Sequence, residues 1–477
     1  MTMSRRYRYT TALQVGLGFV LIGLLLAKSG KTTHLQLVWL GFLALPMLAR
    51  LRFPALFALA VIGLNLGLWR GAELYSQLYS YTYLQNQKVT LIGKVLDDAA
   101  YSDRGQLEFK IGSVRSAEND LALPGTVSIR GFDAPSVRRG DIISAEGKLR
   151  EGFGARQGFM SYASIEVMAR DDSWLERVRS EYFAGVYSAL PDPHASLGLG
   201  FLAGTRTLLP DDLIDALAIT GLTHIVAVSG YNLTILVRLT RRLFAERSLF
   251  LSMAVSVGLL VGFIFVTGLS PSIARASVVC ALALTAWYFG RDIKPTVLLL
   301  SVAVITAMVN PLYLWFDLGW YLSFAAFAGV LVVAPLITQR YFKKPPKVFG
   351  QILLETTCAQ LMTLPIIAFV FSEVSVISLL ANLLVLPLIP LIMLCTFLAG
   401  LAGMVLPHLS GLISWPAEFL LTYTIDIIYW LARVPWAMIS LRLDWYQLIW
   451  LYASLVVVAL AIARRSRSSL DSATVIE

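Results

Sequence analysis

Charged side chains are scarce in this chain: only 14% of its 477 residues are Asp, Glu, Lys or Arg, whereas 57% are hydrophobic. Soluble globular domains usually carry about 25% charged residues, so the composition excludes that class of protein. The mean hydropathy of +0.70 points the same way. We therefore expect an integral membrane protein.

Cysteine and histidine are also rare, with three and four residues respectively. Cys280, Cys358 and Cys395 fall in apolar runs, so no disulfide is expected, and the histidines are too scattered for a metal site. The sequence contains no G-x-x-x-x-G-K-S/T phosphate loop and no G-x-S-x-G elbow. An ATP motor or serine hydrolase with those motifs is thereby excluded, and no cofactor and no enzymatic activity are predicted.

Long apolar runs are abundant, and many reach the roughly 17 to 25 residues that a bilayer-spanning helix requires. The pattern predicts a polytopic α-helical membrane protein with 10 to 12 transmembrane helices. Pro387 and Pro390 predict that one span is kinked or divided into two shorter pieces. The predicted spans lie near residues 12–27, 35–49, 54–69, 222–239, 249–268, 275–290, 295–309, 318–337, 350–371, 376–403, 411–431 and 445–463.

The positions of Lys and Arg predict how these spans are oriented. Basic clusters on one side of the membrane lie at residues 5–8, 50–52, 238–247, 291–294, 340–347 and 464–467. The short loops on the other side carry only Lys28, Lys31, Arg70, Arg433 and Arg442. Because basic loops stay in the cytoplasm, both termini are predicted to be cytoplasmic. Topology thus accounts for the net charge of +9 without nucleic-acid binding.

Residues 86–172 form the one long segment without a span, and their pattern differs from the rest. Apolar and polar residues alternate in KVTLIGKVL, GQLEFKIGSV, GTVSIRGF, DIISAEGKL and YASIEVMA. Such alternation predicts five short strands. Five strands in this length fit a small extracytoplasmic β-barrel of the OB kind, which often binds oligonucleotides, although any small antiparallel barrel shares the pattern.

The segment after the predicted barrel mixes apolar and charged residues at helical spacing. Pro210 followed by Asp211 and Asp212 predicts a helix start, and we expect these helices to lie along the membrane surface. Five regions are therefore predicted, namely N-terminal transmembrane helices at 1–85, an OB-like domain at 86–172, amphipathic helices at 173–221, a transmembrane channel domain at 222–465 and a cytoplasmic tail at 466–477.

Several predicted spans contain polar residues. In GLTHIVAVSGYNLTIL, residues 221–236, the apolar run holds His224, Ser229, Gly230 and Asn232. Further along the chain, the polar residues are Arg275, Asp317, Ser323 and Asn382. A helix break that lines a polar cavity explains such residues, but small and polar side chains also pack between membrane helices. Arg275 and Asp317 lie near span ends, where they could pair or extend toward the interface.

Four stretches in this order resemble the ComEC competence proteins, inner-membrane channels that carry single-stranded DNA into transformable bacteria. They are FLAGTRTLLPDDLIDALAITGLTHIVAVSGYNLTIL, PSIARA, NPLYLWFDLGWYLSFAAFAGV and PIIAFVFSEVSVISLLANLLVLPLIP. The segment SVRRGDIISAEGKLREGFGARQGFMSYASIEV is similar to that family's extracytoplasmic OB-like domain. The likeness spans roughly residues 40–440.

Two departures limit what the resemblance implies. The family usually reads Ser-Gly-Leu-His where this chain has Ser229, Gly230, Tyr231 and Asn232, so a role that needs an imidazole at 232 is in doubt. Many relatives also carry a metallo-β-lactamase-like domain proposed to be a nuclease. This sequence has no His-x-His-x-Asp-His run, so we expect a form without that domain.

The resemblance implies a channel in the bacterial cytoplasmic membrane, in contact with lipids, that imports single-stranded DNA during natural transformation. A separate DNA receptor, nuclease and ATP-driven motor would then act with it. The path of the DNA would run past His224, Ser229, Gly230, Asn232, Arg275, Asp317, Ser323 and Asn382. A secondary transporter or glycan exporter, which often shows internal repeats, and a membrane scaffold remain as alternatives.

Overall fold

The computed structural model describes residues 9–29, 52–97, 99–101, 106–118, 120–132, 137–152, 156–205, 208–226, 240, 248–267, 271–291, 293–342, 346 and 348–465. The chain divides into two compact units. The first comprises residues 1–176 and 300–321, and the second comprises residues 177–299 and 322–477.

The first unit begins with two apolar helices, α1 (Tyr9–Ala27) and α2 (Arg52–Leu84). They cross so closely that a Cβ on Gly67 would overlap the carbonyl of Val20, and one on Gly23 would overlap the carbonyl of Leu64. Glycine at such crossings lets two membrane helices approach to backbone contact. Small residues therefore hold this helix pair together.

Residues 300–321 pack on the same helix pair. They contain the end of α9 (Pro295–Val309) and the short helix α10 (Leu312–Phe316). The indole N–H of Trp315 donates to the carbonyl of Leu24 at 2.8 Å, and the Lys28 ammonium donates to the carbonyl of Trp315 at 3.1 Å. Long-range hydrogen bonds thus bind a segment from late in the chain to the first helix.

Five strands form a closed barrel after α2. They are β1 (Lys88–Val95), β2 (Leu107–Ser116), β3 (Val127–Gly131), β4 (Ile142–Glu151) and β5 (Gly158–Ala169). Their order around the barrel is β1-β2-β3-β5-β4-β1, with β3 and β5 parallel and the other pairs antiparallel. Two-residue strands at Ala100–Tyr101 and Ala122–Leu123 extend β2. This five-stranded closed arrangement confirms the predicted OB-like domain.

The barrel interior is filled by the apolar residues of the alternating pattern. Leu91, Ile111, Ile129 and Ile143 are completely buried there. Tyr81, near the end of α2, belongs to the same core. The barrel therefore packs directly on the helix that precedes it.

The remaining helices follow the barrel. They are α3 (Trp174–Ala189), α4 (His194–Ala203), α5 (Asp211–Ile219), α6 (Thr223–Val226), α7 (Leu249–Thr267), α8 (Pro271–Tyr288), α9, α10, α11 (Leu318–Ala328), α12 (Ala334–Tyr341), α13 (Val348–Phe371), α14 (Ser378–Val385), α15 (Ile389–Val405), α16 (Ser410–Ala432) and α17 (Trp445–Arg465). A π-helical segment, Gly329–Val333, joins α11 to α12, and a two-stranded sheet pairs β6 (Glu373–Ser375) with β7 (Met438–Ser440).

The core of the second unit includes a helix from residues 173–221, a region that the sequence predicts to lie along the membrane surface. Helix α4 is buried almost throughout, with Leu197 and Leu199 completely inside. Its sequence HASLGLGFLA is apolar on every side, which is typical of a core helix rather than an interfacial one. Helix α4 therefore packs inside the protein and shares a core with α14, α15 and α16. The position of residues 173–221 along the membrane surface stays a prediction.

Six of the described helices are long and apolar enough to cross a membrane. They are Thr10–Ala27, Leu56–Leu84, Leu318–Tyr341, Gly350–Phe371, Ser378–Val405 and Trp445–Ile462. These six confirm the polytopic helical fold, and each overlaps a predicted span. Predicted span 35–49 and most of 222–239 lie outside the described residues. The predicted interruption of 376–403 is present, because a 3₁₀ segment, Leu386–Leu388, separates α14 from α15.

Candidate functional site

His224 lies on a short helix that follows a sharp turn. Helix α5 ends at Ile219, and two residues later Gly221 has a φ of +70°, a left-handed conformation that favours glycine. The N–H of Leu222 donates to the carbonyl of Leu217 at 2.9 Å and closes that turn. His224 Nδ1 donates to the carbonyl of Gly221 at 2.9 Å. The turn therefore fixes one ring nitrogen of an exposed imidazole.

The same turn is in close contact with the start of α14. A Cβ on Gly221 would stand 2.6 Å from the Cβ of Ser378 and 3.3 Å from the Cβ of Ser375. Real Cβ atoms do not approach other carbon atoms to 2.6 Å, so only glycine fits at 221. Backbone contact thus brings the His224 turn against two serines that lie more than 150 residues later.

A chain of hydrogen bonds continues from these serines. The side-chain amide of Gln360, on α13, donates to the hydroxyl of Ser378. The Ser378 hydroxyl donates to the carbonyl of Ser375 at 3.1 Å. Ser378 is 6% exposed and Gln360 is partly buried, so these hydrogen bonds reach the interior of an apolar helical unit.

Asn382 lies one helical turn after Ser378, on the same face of α14. It is 5% exposed, and within the described part of the chain its Oδ1 accepts no hydrogen bond. The Ser375 hydroxyl is likewise buried without a partner there. A buried polar group without a hydrogen bond costs about 1–3 kcal/mol, so such groups usually serve a purpose other than stability. We call Gly221, His224, Gln360, Ser375, Ser378 and Asn382 the polar cluster.

Sequence reasoning found two members of this cluster, His224 and Asn382, and missed the other four. Gln360 and Ser378 lie in predicted spans and Ser375 lies between two of them, and the sequence does not indicate that the three residues meet. The available signal was a glutamine within the apolar run LLETTCAQLMTLP. Gly221 began the quoted stretch, but the sequence does not indicate which helix it touches.

Arg275 and Ser323 belong to other helices of the second unit. Arg275 lies near the start of α8 and is only 3% exposed. Helix α8 packs on α7 through Leu260, Cys280 and Leu284. A guanidinium stays charged at any physiological pH, so its burial requires polar or anionic surroundings. Ser323 is partly buried on α11.

The remaining candidate residues lie in the first unit or outside the described residues. Asp317 lies in the first unit and precedes α11, where its Oδ1 accepts the N–H of Gly319 at 2.9 Å. That bond satisfies one of the free donors at a helix start, so Asp317 has a capping role there. Ser229, Gly230 and Asn232 lie outside the described residues. Among the residues that are described, no three His, Cys, Asp or Glu side chains group as metal ligands would.

These features together define a class of protein. Six described helices can cross a membrane, and a closed OB-like barrel precedes the second helical unit in the chain. That unit contains the polar cluster, of which Ser378 and Asn382 are buried. The molecule is therefore a polytopic membrane protein with an attached barrel domain.

Comparison with known proteins identifies the family within this class. The family model described as "Competence protein" matches residues 201–466, more than half of the chain, so the chain belongs to that family. The ComEC resemblance is thereby confirmed. Over 230 residues the chain is 23% identical to ComE operon protein 3 of Bacillus subtilis (strain 168). The alignment covers 46% of this chain and 28% of the relative's length. No solved structure matches.

Proposed function

We propose that this protein is a channel that carries single-stranded DNA across the bacterial cytoplasmic membrane during natural transformation. Membership of the competence protein family supports a role in DNA uptake. The observation that carries the proposal for this chain is the polar cluster, because buried polar groups in a membrane unit mark a path for polar cargo.

The cluster has chemistry that suits a moving polyanion. Its side chains offer amides, hydroxyls and an imidazole, which exchange hydrogen bonds with phosphates and waters without a strong charge attraction. A conductive path must bind its cargo well enough to admit it and weakly enough to release it. Asn382 and Ser375, whose buried oxygens accept no hydrogen bond from the described residues, would then supply acceptors for water or for base amino groups.

The broken helix pair α14 and α15 supports the same path. Irregular backbone at membrane depth is tolerated where it is buried in protein or lines a water-filled cavity. The 3₁₀ segment Leu386–Leu388 begins four residues after Asn382. Ser229, Gly230, Asn232, Arg275 and Ser323 remain candidate lining residues, and Asp317 is a candidate whose capping bond gives it a structural role as well.

The proposal includes an arrangement in the cell. The basic clusters predict cytoplasmic termini and an extracytoplasmic barrel, so the barrel would receive the strand before the helices do. The motor, the nuclease and the primary DNA receptor would be separate proteins, and the channel itself would carry out no chemical reaction.

Deletion of the gene tests this function. Cells that lack the protein should lose transformation by a selectable marker carried on DNA, and a plasmid copy of the gene should restore it. A secondary transporter or a scaffold predicts little loss. Transformation at the wild-type level in the deletion strain would therefore overturn the proposal.

A further inference from the structure

The outer face of the barrel carries a set of side chains that the channel does not use. In OB-like barrels, ligands bind on the face of the second and third strands and on the loops after the first and fourth strands. Here that face is formed by β2 and β3, and the connection from β4 to β5 borders it. The side chains on this face therefore indicate what the barrel binds.

One carboxylate on this face is shared by two guanidinium groups. Glu108 on β2 lies opposite Arg130 on β3, and both Nε and Nη2 of Arg130 are 2.8 Å from Glu108 Oε2. Arg156, between β4 and β5, places Nη1 3.5 Å from Glu108 Oε1. All three side chains are partly exposed, at 26%, 39% and 40%. The ion pairs are therefore accessible to a competing anion.

Aromatic rings lie beside this ion-pair group. Phe132 is the residue after the end of β3, and its ring centroid is 5.7 Å from that of Tyr162. Phe132 is 45% exposed and Tyr162 is 72% exposed. The Arg130 guanidinium lies 5.1 Å above the ring of Phe159.

The backbone turns Tyr162 outward. Its φ is +57°, an uncommon value for a residue other than glycine. The register of β4 and β5 shifts between Glu146 and Lys148, opposite this residue. Such a bulge redirects a side chain, and bulges of this kind are frequent beside binding sites. The exposed ring is thus built into the strand.

We propose that this face binds single-stranded nucleic acid by stacking bases on Phe132 and Tyr162, and that Glu108 keeps the binding weak. Because Glu108 already occupies Arg130 and Arg156, a phosphate must displace the carboxylate before it contacts either guanidinium. Bases in a duplex are stacked on one another, so only an unpaired strand offers its rings. The inference rests on the proposed function, since a strand that passes to a channel must be released readily.

Binding of a fluorescent oligothymidylate of about 16 nucleotides to the full-length protein in nanodiscs tests the proposal. Glu108→Gln frees two arginines for phosphates, so its affinity should rise about tenfold at low salt, and the slope of log K against log salt should steepen by up to about 1.4. Tyr162→Ala and Phe132→Ala should each weaken binding at least roughly fivefold, because each removes a stacking platform.

Glu146→Gln is the matched control. Glu146 also pairs with a cation, Lys88 at 2.6 Å, but it lies on β4 against β1. This variant should bind as the wild type does. Equal affinities for Glu108→Gln and Glu146→Gln, or a weaker Glu108→Gln, would overturn the role of Glu108. Binding of a chitin oligosaccharide in place of the oligothymidylate, with loss in Tyr162→Ala, would assign the face to glycans and overturn the proposal.

The outcomes separate this inference from the channel proposal. If the barrel variants bind DNA like the wild type while substitutions in the polar cluster abolish import, the stacking face is wrong and the channel stands. If the barrel variants change affinity as expected while polar-cluster variants import normally, the stacking face stands and the channel proposal fails.

Discussion

Gly221 and Ser378 touch so closely that a Cβ on residue 221 would stand 2.6 Å from the Cβ of Ser378. This contact joins the turn that holds His224 to the start of the interrupted helix pair α14 and α15. It also places the hydrogen bonds of Gln360, Ser378 and Ser375 beside that turn. The polar cluster is therefore assembled from three distant parts of the chain.

Gly221→Ala should destabilise the protein and impair import. The left-handed φ of +70° costs a residue with a Cβ about 1–2 kcal/mol, and the clash with Ser378 adds to this. The apparent Tm of the purified protein in detergent should fall. Gly258→Ala is the control, because nothing lies within 4 Å of a Cβ at that position. An unchanged Tm for Gly221→Ala would show that the turn is free to rearrange.

Asn382→Ala should reduce DNA import without loss of stability. The buried Oδ1 accepts no hydrogen bond in the described part of the chain, so removal of the amide relieves a desolvation cost of about 1–3 kcal/mol. A residue that merely stabilised the helix packing would give the reverse result. Import of labelled DNA and the apparent Tm, measured on the same variant, distinguish the two roles.

The strands of the barrel could be predicted from the sequence because the pattern that produces each strand lies within its own few residues. A strand with one buried face alternates apolar and polar residues, and KVTLIGKVL and DIISAEGKL show that alternation around β1 and β4. The interruption near Leu386 was also predictable, because proline cannot donate the helical hydrogen bond. Pro210, Asp211 and Asp212 correctly predicted the start of α5.

The burial of α4 and the composition of the polar cluster depend on long-range contacts, which no local sequence pattern indicates. Helix α4 lies in a segment that mixes apolar and charged residues, and the sequence alone does not indicate that eight of its ten residues are buried in the protein core. Gln360 and Ser378 are ordinary residues of separate spans until the fold joins them. Composition reports how apolar a helix is, whereas tertiary packing decides which polar atoms meet.

Arg70→Ala should destabilise the first unit. The Nε of Arg70 donates to the carbonyl of Met308 at 2.9 Å, and Nη2 donates to the carbonyl of Val309 at 3.2 Å. These are the last carbonyls of α9, where a positive charge also interacts favourably with the negative end of the helix dipole. Loss of both bonds should cost about 1.5–3 kcal/mol, and Arg70→Lys should recover only part of this.

A matched control for Arg70 is available on the barrel. Arg115→Ala removes an exposed guanidinium whose nearest carboxylate oxygen, on Asp120, is 3.6 Å away. Exposed ion pairs contribute about 0–1 kcal/mol, so the apparent Tm should barely change. Equal effects of the two substitutions would contradict a capping role for Arg70.

The barrel should lose stability in acid through Asp171. Burial alone would raise the pKa of Asp171, but hydrogen bonds from Ser173 and the ammonium of Lys94 outweigh it, and the pKa lies below its usual value. The Lys94 Nζ is 3.2 Å from Asp171 Oδ2. A carboxylate with a lowered folded pKa stabilises the fold above its unfolded pKa of about 3.9, and this contribution is lost as the pH falls through the folded pKa.

Pepsin digestion of the full-length protein measures that loss. Cleavage within the barrel should accelerate below about pH 4 in the wild type. Asp171→Asn should be cleaved faster near pH 5, where the wild-type carboxylate is still charged, and should show less acceleration in acid. Asp120→Asn, at a carboxylate whose side chain is 84% exposed, should behave as the wild type does. Identical profiles for all three proteins would refute the contribution of Asp171.

The channel claim is tested most directly by the entry of labelled DNA into cells whose only copy of the gene carries Arg275→Ala or Asn232→Ala. Nuclease treatment of intact cells separates imported DNA from DNA bound outside, and immunoblotting confirms equal amounts of protein. We predict that external binding persists while protected DNA falls at least about tenfold, which corresponds to roughly 1.4 kcal/mol. Wild-type amounts of protected DNA in both variants would contradict a path for DNA past these residues.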